Sequence, residues 1–268
     1  MLNPANFFEL KGRWREFFAP HPQVYEALDH LEAFTAAQVE AAGANVASLR
    51  RQGDLQLKTR IIYEGCVYGE GFVLVGGDTG QGAMKVLLEG REISGATVVE
   101  AGSVLKSDDI HLASGVLLEA GALVKGPAFI DRNTEVRQGA YLRGGCLIGQ
   151  SCVVGHTTEM KNSAMLDGAK AGHFAYLGDS ILGREVNLGA GTKLANLKFS
   201  AQPYIFKAEG QIYKAARKKM GAIIGDHSQT GCNSVTSPGV ILGQRCMVYP
   251  CYNVPGGYYK TGSRLRQR

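Results

Sequence analysis

The stretch LASGVLLEAGALVKGPAFIDRNTEVRQGAYLRGGCLIGQSCVVGHTTEMKNSAML, residues 112–166, carries an apolar side chain at every sixth position. These are Leu112, Leu118, Val124, Ile130, Val136, Leu142, Ile148, Val154, Met160 and Leu166. In a chain that is 45% hydrophobic, ten such positions in a row arise by chance ~3 times in 10,000, and the free choice of start weakens even that figure. A second pattern agrees with the first: four residues after each aliphatic stand Val116, Ala122, Ala128, Thr134, Ala140, Cys146, Cys152, Thr158 and Ala164, all small or β-branched. A large residue pointing inward, followed by a small one near a corner, is what a narrow triangular coil of three short strands requires. Three hexapeptides make one coil, so residues 18 apart stack at about the 4.8 Å spacing of neighbouring strands.

Working outward, the phase slips between Leu166 and Tyr176, resumes as Tyr176, Leu182, Leu188 and Leu194, and returns after an interruption as Ile224, Thr230, Thr236, Leu242, Val248 and Val254. The repeat therefore spans residues 93–254, and 36 glycines against 8 prolines fit its many tight turns. Residues 21–50 have apolar spacing and alanine content suited to one or two helices, which makes 1–53 an N-terminal helical extension. Residues 54–92 read as a short-strand lead-in to the first coil. Residues 197–220 break the repeat and hold Pro203 and Gly210, so they must loop outside the coil. Residues 255–268 form a basic tail with no aliphatic period, expected to be mobile unless a ligand or neighbour orders it.

No apolar run approaches the roughly 18 residues of a membrane helix, so a membrane protein is excluded at this level. The opening MLNPANFFELKGRWREFF places charges and aromatics where a secretory leader needs a continuous apolar stretch, which points to a cytoplasmic protein. The six cysteines contain no CxxC pair, so neither a zinc ribbon nor a disulfide framework is signalled. Of the formal charge of +5, the excursion's Lys198, Lys207, Lys214, Arg217, Lys218 and Lys219 and the tail's Lys260, Arg264, Arg266 and Arg268 hold the excess, leaving a mildly acidic body. Such localised basic segments suit a small anionic ligand; a nucleic-acid partner is not expected.

Two places along the repeat suggest chemistry. Lys125, Arg143 and Lys161 follow inward aliphatics at intervals of 18 and should form a vertical column of cations. Either an anion bridges it, or nearby carboxylates such as Glu119, Glu135 or Glu159 make it a solvated ladder. The second place is the register break KAGHFAYLGD, residues 170–179, which holds His173 among small residues.

The run EMK at 159–161 with KAGHFAYLGDSILGREVNLGAGTKLAN at 170–196 resembles the acetyltransferase domain of the bifunctional glucosamine-1-phosphate acetyltransferase and UDP-N-acetylglucosamine pyrophosphorylase. ARKKMGAIIGDHSQTGCNSVTSPGVILG at 216–243 resembles the corresponding domain of archaeal-type sugar-1-phosphate nucleotidylyltransferases. The resemblance runs from Phe129 to the end and implies an all-β fold, the left-handed parallel β-helix of the hexapeptide acyltransferases. By that resemblance His173 is the general base, and Arg143, Lys161, Tyr176 and Asn187 are the sugar-phosphate ligands. Asn196, Ala190 in the GAG turn, Cys232 and Lys207 are then assigned to acetyl-CoA. Cys232 stands where the family usually has serine, and the family's lysine shortly after Asn196 does not align through the excursion, so Lys207 is assigned without a matching motif. The backbone amides of Gly189 to Gly191 are the expected oxyanion donors.

The family implies a homotrimer with acetyl-CoA between neighbouring prisms and a sugar phosphate as the small-molecule partner. No metal is expected, because the zinc-binding γ-carbonic anhydrases of this fold use a close His-x4-His pair, whereas His156 and His173 are 17 apart. The expected activity is acetyl-CoA-dependent N-acetylation of an amino-sugar 1-phosphate of the glucosamine-1-phosphate type. Nucleotidyl transfer is not expected, since about 90 leading residues without a Gly-rich nucleotide loop are too few for that domain. The alternatives are an acyltransferase with a different acyl donor and a non-catalytic scaffold in sugar-nucleotide metabolism.

Overall fold

The computed structural model describes residues 2–76 and 84–267; part of the 54–92 lead-in and Arg268 of the tail lie outside the described residues. Short strands stack coil upon coil into three parallel sheets that close a triangular prism, a left-handed parallel β-helix. Sheet 1 runs from Thr97–Val99 to Arg264–Leu265, sheet 2 from Val104–Leu105 to Asn253–Val254, and sheet 3 from Ile110–Leu112 to Gly257–Tyr259. The six-residue period is visible as one continuous interior in which Leu118, Val124, Ile130, Val136, Leu142, Ile148, Val154 and Met160 stack with Ala122, Ala128, Cys146 and Cys152. Each fully buried Leu, Ile or Val contributes ~1.5–3 kcal/mol of transfer free energy, so this column is the main source of stability.

The register break is not where the aliphatic spacing puts it. Leu142 lies opposite Met160, a spacing of 18, whereas Cys146 lies opposite Ser163 and Ile148 opposite Met165, a spacing of 17. One residue is lost at the corner Lys161–Asn162–Ser163, where the preceding coil has Arg143–Gly144–Gly145–Cys146. The same shortening recurs one coil later at Gly178–Asp179–Ser180, because Leu177 and Leu182 both point inward. Met165, Ala171 and Leu177 therefore fill the interior, Leu166 turns outward into a second core, and Tyr176 stands half-buried on the outer face of sheet 2.

Sheet 3 is covered on its outside as well. Phe129, Leu147, Ala164, Ile181, Ile223 and Ile241 form an outward apolar column against the N-terminal extension. That extension holds helices α1 (Arg13–Phe18) and α2 (Ala27–Ala42), whose Trp14, Phe17, Phe18, Leu28 and Leu31 are buried there. Trp14 Nε1 donates to Asp167 Oδ1 at 3.0 Å, and the Arg13 guanidinium lies 3.9 Å from the Phe129 ring centroid. The 197–220 excursion is an antiparallel hairpin, Tyr204–Ala208 with Gln211–Ala215. Its Tyr204, Phe206 and Ala208 join the same second core, and Phe206 stacks on Tyr25.

The first coil is closed by the lead-in and the end of the N-terminal extension. The strand Arg60–Tyr63 pairs antiparallel with Thr97–Val99, Leu55 bridges Val104, and the Asn45 side chain both donates to Leu112 O at 2.7 Å and accepts from Leu112 N at 3.0 Å. Edge strands left open are templates for aggregation, and all three sheets are blunted here. The repeat does not end at Val254: Gly257–Tyr259 and Arg264–Leu265 add strands to sheets 3 and 1, with Tyr259 and Leu265 against the interior. The tail's described residues are thus a further partial coil; an apolar residue at 259 and 265, rather than an aliphatic at both, sustains the inward row.

Candidate functional site

Sheet 2 presents the cation column. Lys125 is directly opposite Arg143, and Lys161 follows on the next coil, opposite Gly178. The column is not bare. Arg143 Nη1 donates to Glu159 Oε1 at 2.5 Å, a bond that raises the arginine's pKa further, and the Tyr141 ring centroid lies 5.2 Å from Lys125 Nζ and 5.8 Å from Arg143 Cζ. Like-charge repulsion along the column is thereby relieved within the chain by one carboxylate and one aromatic face. Arg143 is exposed and Lys161 half-buried.

Beside Lys161 the two shortened corners build a buried polar ladder. Asn162 and Asp179 both take left-handed backbone conformations, with φ of 43° and 47°. Asp179 is only 6% exposed, and it accepts from Asn162 Nδ2 at 2.9 Å through Oδ1 and from Asn196 Nδ2 at 2.6 Å through Oδ2. The other end of the Asn196 amide, Oδ1, lies 3.4 Å from the Tyr176 hydroxyl. Burial, ahead of the nearby carboxylates of Glu159 and Asp179, raises the Tyr176 pKa, so the phenol stays protonated at neutral pH. Both groups meet over Gly178, where a Cβ would stand 2.5 Å from Asn196 Nδ2 and 2.7 Å from Tyr176 Oη. Glycine is required there by this close approach.

His173 lies at the other end of the same stretch of chain. It closes the sheet 1 strand Lys170–His173, and a corner through Phe174 leads into the sheet 2 strand Tyr176–Gly178. Its side chain is exposed. His156 is its direct partner on the preceding coil: a separation of 17 is one shortened turn, so the two histidines that looked distant in sequence are neighbours. Among the described residues they belong to no group of three or more His, Cys, Asp or Glu side chains placed to hold a metal.

The GAG turn sits one coil above. Gly191 N–H is used by His173 O at 3.0 Å and Gly189 N–H by Thr230 O at 2.9 Å, while Ala190 N–H has no backbone partner among the described residues. The expected oxyanion donors thus reduce to one. Cys232 is exposed at the corner of the following coil, where Asn233 N donates to Ala190 O. Asn187 is exposed on sheet 1 opposite Lys170, around the edge from Tyr176. Lys207 is on the outer row of the hairpin, which packs against sheet 3, and is not brought to the His173 edge.

Sequence reasoning passed over Asp179, Asn162 and Gly178, whereas Glu159 was among the three carboxylates it set beside the cation column and is the one that meets Arg143. The signal for the first three was present as the missing residue in KNS and GDS relative to RGGC. It is readable only once the coil register is known.

Comparison with known proteins places this region. Residues 124–216 match the family model "GMPPB C-terminal domain". A bifunctional sugar-1-phosphate nucleotidylyltransferase/acetyltransferase of Sulfurisphaera tokodaii is 39% identical over 94 residues, 35% of this chain and 23% of that protein. The bifunctional protein GlmU of Methanococcus maripaludis strain C7 is 39% identical over 93 residues, 35% of this chain and 22% of its own length. The GlmU of Prochlorococcus marinus strain MIT 9313 is 39% identical over 85 residues, 32% and 15% respectively. The match thus spans under a quarter of the length of these relatives. Among solved structures, the Francisella novicida UDP-N-acetylglucosamine acyltransferase superposes with a TM-score of 0.46 at 12% identity, covering 57% of this chain and 55% of that one. No helix among the described residues is long and apolar enough to cross a membrane. Residues 124–216, which hold the cation column, His173, the Asn162–Asp179–Asn196 ladder and the GAG turn, are the part of this hexapeptide-repeat β-helix that matches the GMPPB C-terminal domain, and the similarity to the bifunctional sugar-1-phosphate nucleotidylyltransferase/acetyltransferases lies in the C-terminal half of the chain.

Proposed function

We propose that the chain is an acetyl-CoA-dependent N-acetyltransferase acting on an amino-sugar 1-phosphate. The observation that carries the reading is the arrangement around Tyr176–Gly178. An exposed imidazole stands at one end, and the cations Arg143 and Lys161, a phenol and a buried amide stand at the other, within the segment that matches the GMPPB C-terminal domain. The substrate amine arrives as ammonium and has to lose a proton before it attacks the thioester carbonyl, a task suited to a neutral imidazole. His173 takes that proton; the amine nitrogen bonds to the carbonyl carbon, the C–S bond breaks, and CoA leaves as a thiolate that takes up the second proton shed by nitrogen as the amide forms.

Arg143 and Lys161 hold the phosphate, Tyr176 and Asn187 orient the sugar, the Ala190 N–H faces the oxyanion, and Asn196 and Cys232 contact acetyl-CoA. Because Asn187 is on sheet 1 and Tyr176 on sheet 2, one prism offers an edge rather than a cleft. The resemblance implies a homotrimer, and within this reading a neighbouring prism completes the site; sedimentation equilibrium checks it.

The test is a thiol-release assay with acetyl-CoA over a panel of amino-sugar phosphates and their unphosphorylated forms. Turnover confined to phosphorylated amino sugars supports the reading, and no thiol release with any of them sinks it. Arg143→Ala and Lys161→Ala should each raise KM for the sugar phosphate by the ~1.5–3 kcal/mol of a charged hydrogen bond, leaving KM for acetyl-CoA unchanged. Equal changes in both KM values would point to general electrostatics instead.

A further inference from the structure

We infer that Asp179 is a positioning residue that decides which face of the Asn196 amide the site presents, an inference that rests on the acetyltransferase reading above. Among the described residues no cation forms an ion pair with Asp179, although it is 6% exposed. A buried carboxylate without a counter-charge is costly unless its oxygens are hydrogen-bonded, and here each oxygen accepts one side-chain amide, from Asn162 on the coil before and from Asn196 on the coil after. The main chain holds the carboxylate in place: Asp179 N–H donates to Lys161 O at 3.0 Å, and Gly221 N–H donates to Asp179 O at 2.9 Å.

The chemistry of the ladder has one direction. A carboxylate accepts and cannot donate, so the nitrogen of Asn196 has to face it, and the Asn196 oxygen has to face the opposite way, toward Tyr176 and the site. The backbone of Asn196 is held too, since its carbonyl accepts from Met220 N–H at 2.9 Å and from the Tyr204 hydroxyl at 3.4 Å. Asn196 therefore offers an acceptor to whatever binds beside it. The complementary group on an acyl-CoA is a pantetheine amide N–H. The shortened corners are what make this possible: without the lost residue at 161–163 and 178–180, the side chains of Asn162 and Asp179 would not stack in line with Asn196.

Asp179→Asn keeps the size of the side chain but replaces one acceptor oxygen with a donor, so one of the two amides loses its partner and Asn196 is free to turn over. KM for acetyl-CoA should rise about 10-fold, with kcat within a few-fold and KM for glucosamine 1-phosphate unmoved. Asn196→Ala should give the same loss, and the double variant no more than either alone. The exchange Asp179→Asn with Asn196→Asp restores an unbroken order of donors: Asn162 donates to the new amide at position 179, that amide donates to the new carboxylate at position 196, and an oxygen again points at the site. It should bring KM for acetyl-CoA back toward the wild-type value and restore Tm. Melting of each variant separates this from loss of fold. If Asp179→Asn lowers Tm yet leaves KM for acetyl-CoA unchanged, or if kcat and both KM values worsen alike, Asp179 is only structural and the inference is overturned. A wild-type chain that neither releases thiol nor binds CoA in titration calorimetry overturns instead the reading on which the inference rests.

Discussion

His173 and Gly178 show how differently two residues five positions apart contribute. His173 is exposed at a corner where its carbonyl accepts from Gly191 N–H, so His173→Ala should cost kcat about 100- to 10,000-fold as the loss of a general base, with Tm unchanged. Activity within a few-fold of wild type would leave no catalytic role for it. Gly178→Ala is the opposite experiment. The three atoms nearest the added methyl belong to the side chains of Tyr176 and Asn196 and none to the backbone, so both side chains must shift, and the fold should survive while the site is spread. A fall in acetyl transfer of ~10- to 100-fold at near wild-type Tm is expected from misplacing two binding groups by about an ångström; loss of both together would mean that Gly178 is needed by the coil itself. His173, Tyr176 and Arg143 were legible in sequence as residues. Their relation was legible only in part: Glu159 was one of three carboxylates expected near the column, but its choice as the partner of Arg143, and His156 as the neighbour of His173, come from pairing between coils.

At the scale of strands and coils, the six-residue period was readable because a narrow prism admits a large side chain at one phase only, and Val124, Leu142 and Met160 obey it. The break was misplaced for an equally physical reason. Met165 and Leu166 are adjacent and both apolar, so spacing cannot say which points inward; the opposition of Ile148 to Met165 decides it. The closing of the first coil was not legible either, since nothing local marks Asn45 as a mimic of a strand's backbone. Its side-chain amide replaces both ladder bonds of Leu112. Asn45→Ala should therefore leave a backbone N–H and C=O at the edge of sheet 3 unpaired and destabilise the chain by ~1–3 kcal/mol in urea unfolding. A change under a few tenths of a kcal/mol would show that water or neighbouring chain replaces the amide.

For the molecule as a whole, the N-terminal extension is a structural wall of the prism. It covers the outward column of sheet 3 and leaves sheets 1 and 2 to carry the candidate site. Trp14 is 3% exposed and its indole N–H is bonded to Asp167, so Trp14→Ala should cost ~3–5 kcal/mol, read as a shift of the unfolding midpoint, with the buried face of sheet 3 becoming accessible to a hydrophobic dye. An unshifted midpoint would mean that the extension is docked independently of Trp14.

The sequence by itself determined the coil, its three-sided section, the external excursion and the residue types at the site, because those follow from a short-range period and from local chemistry. Only the tertiary structure decided where a residue is lost from a coil, that Tyr259 and Leu265 extend the prism, that Phe129, Leu147 and Ile241 face a second core, and that Asn162, Asp179 and Asn196 align. Each depends on which residues lie opposite one another a full coil apart, and hydrogen-bond register between coils is set by the accumulated length of every corner between them.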